Sequence, residues 1–163
     1  MSGGGRTSLG GKVLENVIRS MKLRGFTMCS PDELHTARSD MFSDTPRMLV
    51  KNYPYVTLFG TQGRREYYIC SREWEGQLEC KFQNTGGSVD EKMVYLTETL
   101  RRSSGTTGMV LVYGGEYWTA KDRGRSVIEW VKKEARNIKR EGGKDFLCFD
   151  FDEFLDWVGK TFK

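Results

Sequence analysis

The run Leu78-Glu79-Cys80-Lys81-Phe82-Gln83 alternates apolar and polar side chains, and a period of two belongs to a half-buried β-strand. In an extended segment Leu78, Cys80 and Phe82 turn to a core while Glu79, Lys81 and Gln83 share the other side. That side reads carboxylate, ammonium, amide. A Glu and a Lys two residues apart on a rigid element form an ion pair, and such a pair can also hold a metal ion and a water. The spacing alone fits equally well an ordinary same-face pair on a solvated strand, worth under about 1 kcal/mol.

The elements around this strand follow from periodicity and breakers. Residues 11–24 carry Leu14, Val17, Ile18 and Met21 at helical spacing, with Gly25 as the stop. Glu15 lies beside that apolar stripe, able to point along the edge of the core. Residues 29–47 are polar, contain Pro31 and Pro46, and read as a long connection with at most a short helical turn over 31–37. Strands are expected over 55–59, 64–71 and 77–83, forming an antiparallel meander. Ser88 and Glu91 have the spacing of a capping box for a helix continuing through Met93, Leu96 and Leu100. A buried strand follows over 109–113, then a basic amphipathic helix over 126–140, a strand over 146–151 and a helix over 152–162. The order predicts an α/β domain with a mixed sheet and helices on its faces.

Composition narrows the classes. A length of 163 residues suits one domain over 9–163, with a glycine-rich tail over 1–8 expected to be flexible. No apolar run approaches the roughly 20 residues of a membrane span, and Met1-Ser2-Gly3-Gly4-Gly5 carries no apolar signal stretch, so the expectation is a cytoplasmic protein. The four cysteines, Cys29, Cys70, Cys80 and Cys148, show no CxxC spacing, and His35 is the only histidine. The spacing therefore suggests neither a zinc knuckle nor a redox pair, and mechanisms that need two histidines are excluded.

The net charge of +4 is unevenly spread. Between 121 and 144, Lys121, Arg123, Arg125, Lys132, Lys133, Arg136, Lys139, Arg140 and Lys144 outnumber Asp122, Glu129, Glu134 and Glu141. A basic stripe of this kind suits a polyanion, and it is equally the pattern of a solvated helix face. Tyr117 and Trp118 read as core anchors or as rings able to stack on bases.

Whether Glu66 joins Glu79 and Lys81 depends on the hairpin between the second and third strands. A two-residue turn at Glu75-Gly76 would set Glu66 opposite Thr85, leaving Lys81 four positions away at about 13 Å. An open loop over 71–76 sets Glu66 opposite Lys81. Residues 71–76 lack strand alternation, so the open loop is expected.

Together these residues resemble the PD-(D/E)XK nuclease superfamily, whose restriction-endonuclease-like fold has an αβββαβ core. The matching pieces are Glu15 on the first helix, Glu66 on the second strand, Glu79-Cys80-Lys81 on the third, and Gln83 two residues beyond the lysine. The run Glu79-Cys80-Lys81-Phe82-Gln83 followed by Ser88-Val89-Asp90-Glu91-Lys92 is similar to a phage and bacterial subgroup. The resemblance covers about 12–113, and the C-terminal helix-strand-helix is an addition to the core. The family's second-strand acid is usually Asp, often preceded by Pro; here it is Glu66 preceded by Arg65.

The resemblance implies a Mg²⁺-dependent DNA endonuclease, with Mn²⁺ able to substitute. Glu66, Glu79 and the Cys80 carbonyl would hold the metal, and Glu15 a second metal or a water of its shell. Lys81 would orient the attacking water, and Gln83 would brace the site or meet the phosphate. Arg64, Arg65, Lys121, Arg123, Arg125, Lys132, Lys133 and Arg136 are the candidate DNA contacts, and a homodimer would fit relatives that cut both strands. Two other readings of the same residues are a nucleic-acid-binding module that has lost catalysis and a protein-interaction domain.

Overall fold

The computed structural model describes residues 9–40, 46–103 and 105–163. The tail expected over 1–8 lies outside them. Along the chain come α1 (Leu9–Leu23), β1 (Thr27–Cys29), α2 (Pro31–Asp40), β2 (Met48–Val56), β3 (Gln62–Cys70), β4 (Gly76–Phe82), α3 (Val89–Arg102), β5 (Gly108–Gly114), α4 (Glu116–Thr119), α5 (Asp122–Gly142), β6 (Asp145–Phe149) and α6 (Phe151–Thr161). The described strands form one six-stranded sheet in the order of the chain. β2, β3 and β4 make the antiparallel meander, while β1 joins β2, and β4, β5 and β6 run on, in parallel.

A parallel step needs a crossover. α3 supplies it between β4 and β5, and α4 with α5 between β5 and β6. The alternation of β5 records the resulting layers. Val110 and Val112 pack with Val17 and Met21 of α1, Leu78, and Phe154 and Val158 of α6. Met109 and Leu111 pack on the other side with Met93, Leu96 and Leu100 of α3 and Ile128, Val131 and Ile138 of α5. On that second side α2 contributes Leu34 against Met48, Val50, Tyr68 and Cys70. The architecture is therefore the expected α/β one, a mixed sheet between two helical layers. Each fully buried Leu, Ile or Met in it contributes about 1.5–3 kcal/mol.

Residues 29–40 are more regular than their polarity suggests. They hold the whole of α2, and β1 ends at Cys29. α2 starts on a reciprocal cap: Glu33 N–H donates to Ser30 Oγ at 3.2 Å and Ser30 N–H donates to Glu33 Oε2 at 2.6 Å. Pro31 occupies the first helical position, where a missing N–H costs nothing. At Ser88, by contrast, the expected capping box does not form, and the side chain makes no cap hydrogen bond.

One local irregularity matters for the site. The β2–β3 ladder runs from Met48↔Cys70 to Lys51↔Tyr67, has no partners at Asn52 and Glu66, and resumes at Tyr53↔Arg65 in the same register. Asn52 has φ +56, the left-handed conformation that Asn tolerates best after Gly. Across it the faces exchange. Tyr53, which strict alternation would send toward α1, stacks on Tyr68 with ring centroids 3.9 Å apart. Arg65, its ladder partner, turns to the same side.

Candidate active site

The polar side of β4 faces the α3–α5 layer. Leu78 and Cys80 belong to the core beneath α1 and α6, so Glu79 and Lys81, which pair with Leu111 and Tyr113 of β5, stand on the opposite side. Lys81 Nζ donates to Glu79 Oε2 at 3.0 Å. Glu79 is only 6 % exposed, so this is a buried carboxylate rather than a surface pair. Its other oxygen, Oε1, faces Arg65 Nη1 at 3.5 Å. The Arg65 guanidinium lies over the Tyr55 ring, its carbon 3.9 Å from the centroid, which fixes the plane of the fork.

Glu66 does not join that contact. The register Tyr67↔Leu78, Tyr68↔Gln77, Ile69↔Gly76 is two residues tighter than the open-loop expectation, and carried outward it sets Glu66 opposite Glu79 rather than Lys81. The change of face at Asn52 then sends Arg65 to Glu79. Glu66 is exposed and makes no hydrogen bond or ion pair among the described residues. Its charge bears instead on Cys80 and Tyr67. Burial, with Glu66 and Glu79 adding, pushes the Cys80 thiol up to about 12.

A cleft of about 560 Å³ opens over the pair, lined by Arg65, Glu79 and Lys81 from the sheet and by Ser88, Glu91, Lys92 and Tyr95 from the start of α3. Three cations thus face two carboxylates. Arg65 is 5 % exposed, and its Nε and Nη2 groups are buried without a hydrogen-bond partner. An unpaired buried donor carries a desolvation cost of about 1–3 kcal/mol, more when charged. Arg65 lines the cleft together with Lys81 and Lys92, and an anion is the ligand chemistry that answers such a wall.

The other sequence candidates divide. Gln83 donates through Nε2 to Thr85 O at 2.7 Å, bracing the loop beyond β4. Glu15 is exposed on α1, the helix covering the opposite face, and the fold does not bring it to Glu79. Arg64 lines a separate depression with Met28, Glu33, Lys51 and Asn52. Much of the basic stripe on α5 is already paired: Arg123 with Asp90, Arg125 with Asp122, Lys132 with Glu153 and Lys139 with Asp145. Lys121, Lys133 and Arg136 are exposed and unpaired among the described residues. Tyr117 and Trp118 are buried in the α3–α5 core, and Tyr117 Oη donates to Asp90 at 2.6 Å.

A divalent ion of the Mg²⁺ type takes oxygen ligands in near-octahedral array, commonly from one or two carboxylates. Glu66, Glu79 and the Cys80 carbonyl have that chemistry, but the arrangement does not fit the ion. Both Glu79 oxygens face cations, Glu66 is turned aside, and no group of three or more His, Cys, Asp or Glu among the described residues could hold a metal. From the sequence Arg65 is a charge neighbour of Glu66 or a contact to backbone phosphate, and nothing there pairs it with Glu79. The signal that could have placed it against Glu79 was Asn52, a residue tolerant of positive φ in the middle of a strand.

Among the described residues no helix is long and apolar enough to cross a membrane. No curated protein and no solved structure matches the chain. A family model does: the PD-(D/E)XK nuclease superfamily domain matches residues 6–162. Nucleases of this superfamily generally use divalent metal ions. With a sheet and helices consistent with the restriction-endonuclease-like fold and a match over nearly its whole length, the chain belongs to the PD-(D/E)XK nuclease superfamily.

Proposed function

We propose that this protein is a DNA endonuclease that hydrolyses phosphodiester bonds by direct attack of water at the cleft over Glu79 and Lys81. The observation that carries the reading is the buried Glu79 carboxylate holding Lys81 Nζ at 3.0 Å in a cleft where cations outnumber carboxylates. Glu79 fixes the direction of the ammonium. From there Lys81 orients a water against the scissile phosphorus and donates to the charge that grows on the phosphate. As the water's O–P bond forms, the P–O bond to the leaving strand breaks, the water's proton passes to solvent and the leaving oxygen takes one from it. Arg65 and Lys92 supply further donors to the phosphate.

Dependence on Mg²⁺ rests on the family, not on a gathered donor set. The experiment is a titration of Mg²⁺, and separately Mn²⁺, against plasmid, single-stranded and branched DNA. Cuts that appear with the ion and vanish with chelator support the reading; none on any substrate contradicts it.

The Arg65–Glu79 contact favours a second reading, a nucleic-acid-binding module of the same fold without catalysis, because a guanidinium against the motif carboxylate opposes a cation there. The same titration separates the two. A binder retards the DNA and leaves it intact.

A further inference from the structure

The hairpin joining β2 to β3 carries Phe59, 81 % exposed, next to exposed Val56. Its tip is pinned. Thr57 Oγ1 and Thr61 Oγ1 lie 2.7 Å apart, and Thr57 Oγ1 accepts from the N–H groups of Phe59 and Thr61 at 3.3 and 3.2 Å. The Phe59 ring leans toward Tyr95 of α3, with centroids 6.3 Å apart and planes 29° from parallel. Tyr95 in turn lines the cleft that contains Arg65, Lys81 and Lys92. An aromatic pair, Phe59 exposed and Tyr95 half-buried, thus borders a cleft whose wall holds a buried guanidinium with two unpaired N–H edges.

Each feature is costly alone. A lone solvent-facing Phe leaves apolar area in water, and the unpartnered Arg65 edges pay desolvation without return. One ligand answers both, provided it carries an anion and a flat apolar ring a few ångströms apart. A nucleotide unit of a polymer has that form. Within an intact duplex the faces of the bases are covered by their neighbours, so only an unpaired stretch can offer a ring to Phe59 and Tyr95 while its phosphate reaches Arg65.

We propose that this cleft binds single-stranded DNA, with a backbone phosphate on Arg65, Lys81 and Lys92 and the adjoining base against Phe59 and Tyr95. The inference rests on the proposed function for the identity of the polymer, and it makes unpaired segments, rather than uninterrupted duplex, the preferred substrate.

The test is fluorescence anisotropy in chelator, where nothing is cut, with a short labelled oligonucleotide presented alone and as a blunt duplex. The wild-type protein binds the single strand about tenfold more tightly. Phe59→Ala lowers that affinity by about tenfold with duplex affinity unchanged, while Leu23→Ala, at another exposed apolar site, keeps the preference. Arg65→Gln weakens both and reduces the salt slope by about one. Because Phe59 is exposed, its variant keeps the inference testable even if Arg65→Gln does not fold. Equal affinity for the two forms, or full single-strand binding by Phe59→Ala, overturns the inference. The same DNAs are then incubated with Mg²⁺. Cutting without single-strand preference defeats only this inference, and single-strand preference without cutting defeats only the nuclease reading.

Discussion

Arg65 and Glu79 meet across neighbouring strands, Nη1 to Oε1 at 3.5 Å, with both side chains almost wholly removed from water. Breaking a buried pair by deleting one partner leaves an uncompensated charge, at a cost of roughly 3–5 kcal/mol. Glu79→Ala is therefore expected to lower the stability of the whole fold, with urea unfolding as the measure. The double variant Arg65→Met/Glu79→Met should lose less than the sum of its two single variants. The motif glutamate thus has a folding role that a spacing argument, which treats it as a catalytic group on a solvated face, does not contain.

Gly124 lies in α5, where replacing Gly by Ala ordinarily stabilises by about 1 kcal/mol. Here a Cβ would run into the Tyr117 carbonyl of α4, and backbone cannot move aside as a side-chain tip can. Gly124→Ala should destabilise, by about 1–3 kcal/mol, and lower the thermal midpoint.

The sequence-to-structure correspondence is closest where an apolar period is long. The stripe of α1, the alternation of β3 and β4 and the basic helix α5 all lie where their patterns put them, within a few residues. Ser30-Pro31-Asp32-Glu33 bears the same Ser-x-x-Glu spacing as Ser88–Glu91, plus a proline at the first position, yet the polarity and two prolines of its stretch read as a connection with a short helical turn. It is the one of the two that caps its helix. In the site, Glu79 and Lys81 were legible because one uninterrupted strand fixes their relation. Glu66 was not, because its facing depends on a backbone reversal at Asn52 that no side-chain alternation records.

Raising the pH above about 9 should weaken the fold. Burial holds Cys80 and Cys148 up at about 12, against 9.0 for an ordinary thiol, and pushes Tyr68 upward from 10.0. These groups stay protonated when folded but ionise when unfolded, so their stabilisation is complete below the unfolded values and is lost as pH rises toward the folded ones. Lys144, lowered by burial, acts in the opposite sense, as one group against three. The urea midpoint at pH 10 should lie below that at pH 8, and a flat profile would contradict the buried thiols.

Arg101 pairs with Glu98 one turn back on α3 and ties that helix to α5 through Glu134 and Glu141. Arg101→Met keeps the aliphatic stem but leaves three carboxylates facing one another. A loss of roughly 1–2 kcal/mol is expected for so partly exposed a network, and high salt should narrow the gap to wild type in urea unfolding.

The most direct test of the central claim is cleavage of DNA in Mg²⁺ by wild-type protein and by Lys81→Met. This substitution keeps the stem and spares the buried Glu79–Arg65 contact, so folding and DNA binding can be verified in the same samples. The account predicts cuts by the wild type and none by the variant, with DNA affinity reduced only by the loss of one cation. A folded Lys81→Met protein that cuts as fast as wild type would contradict it.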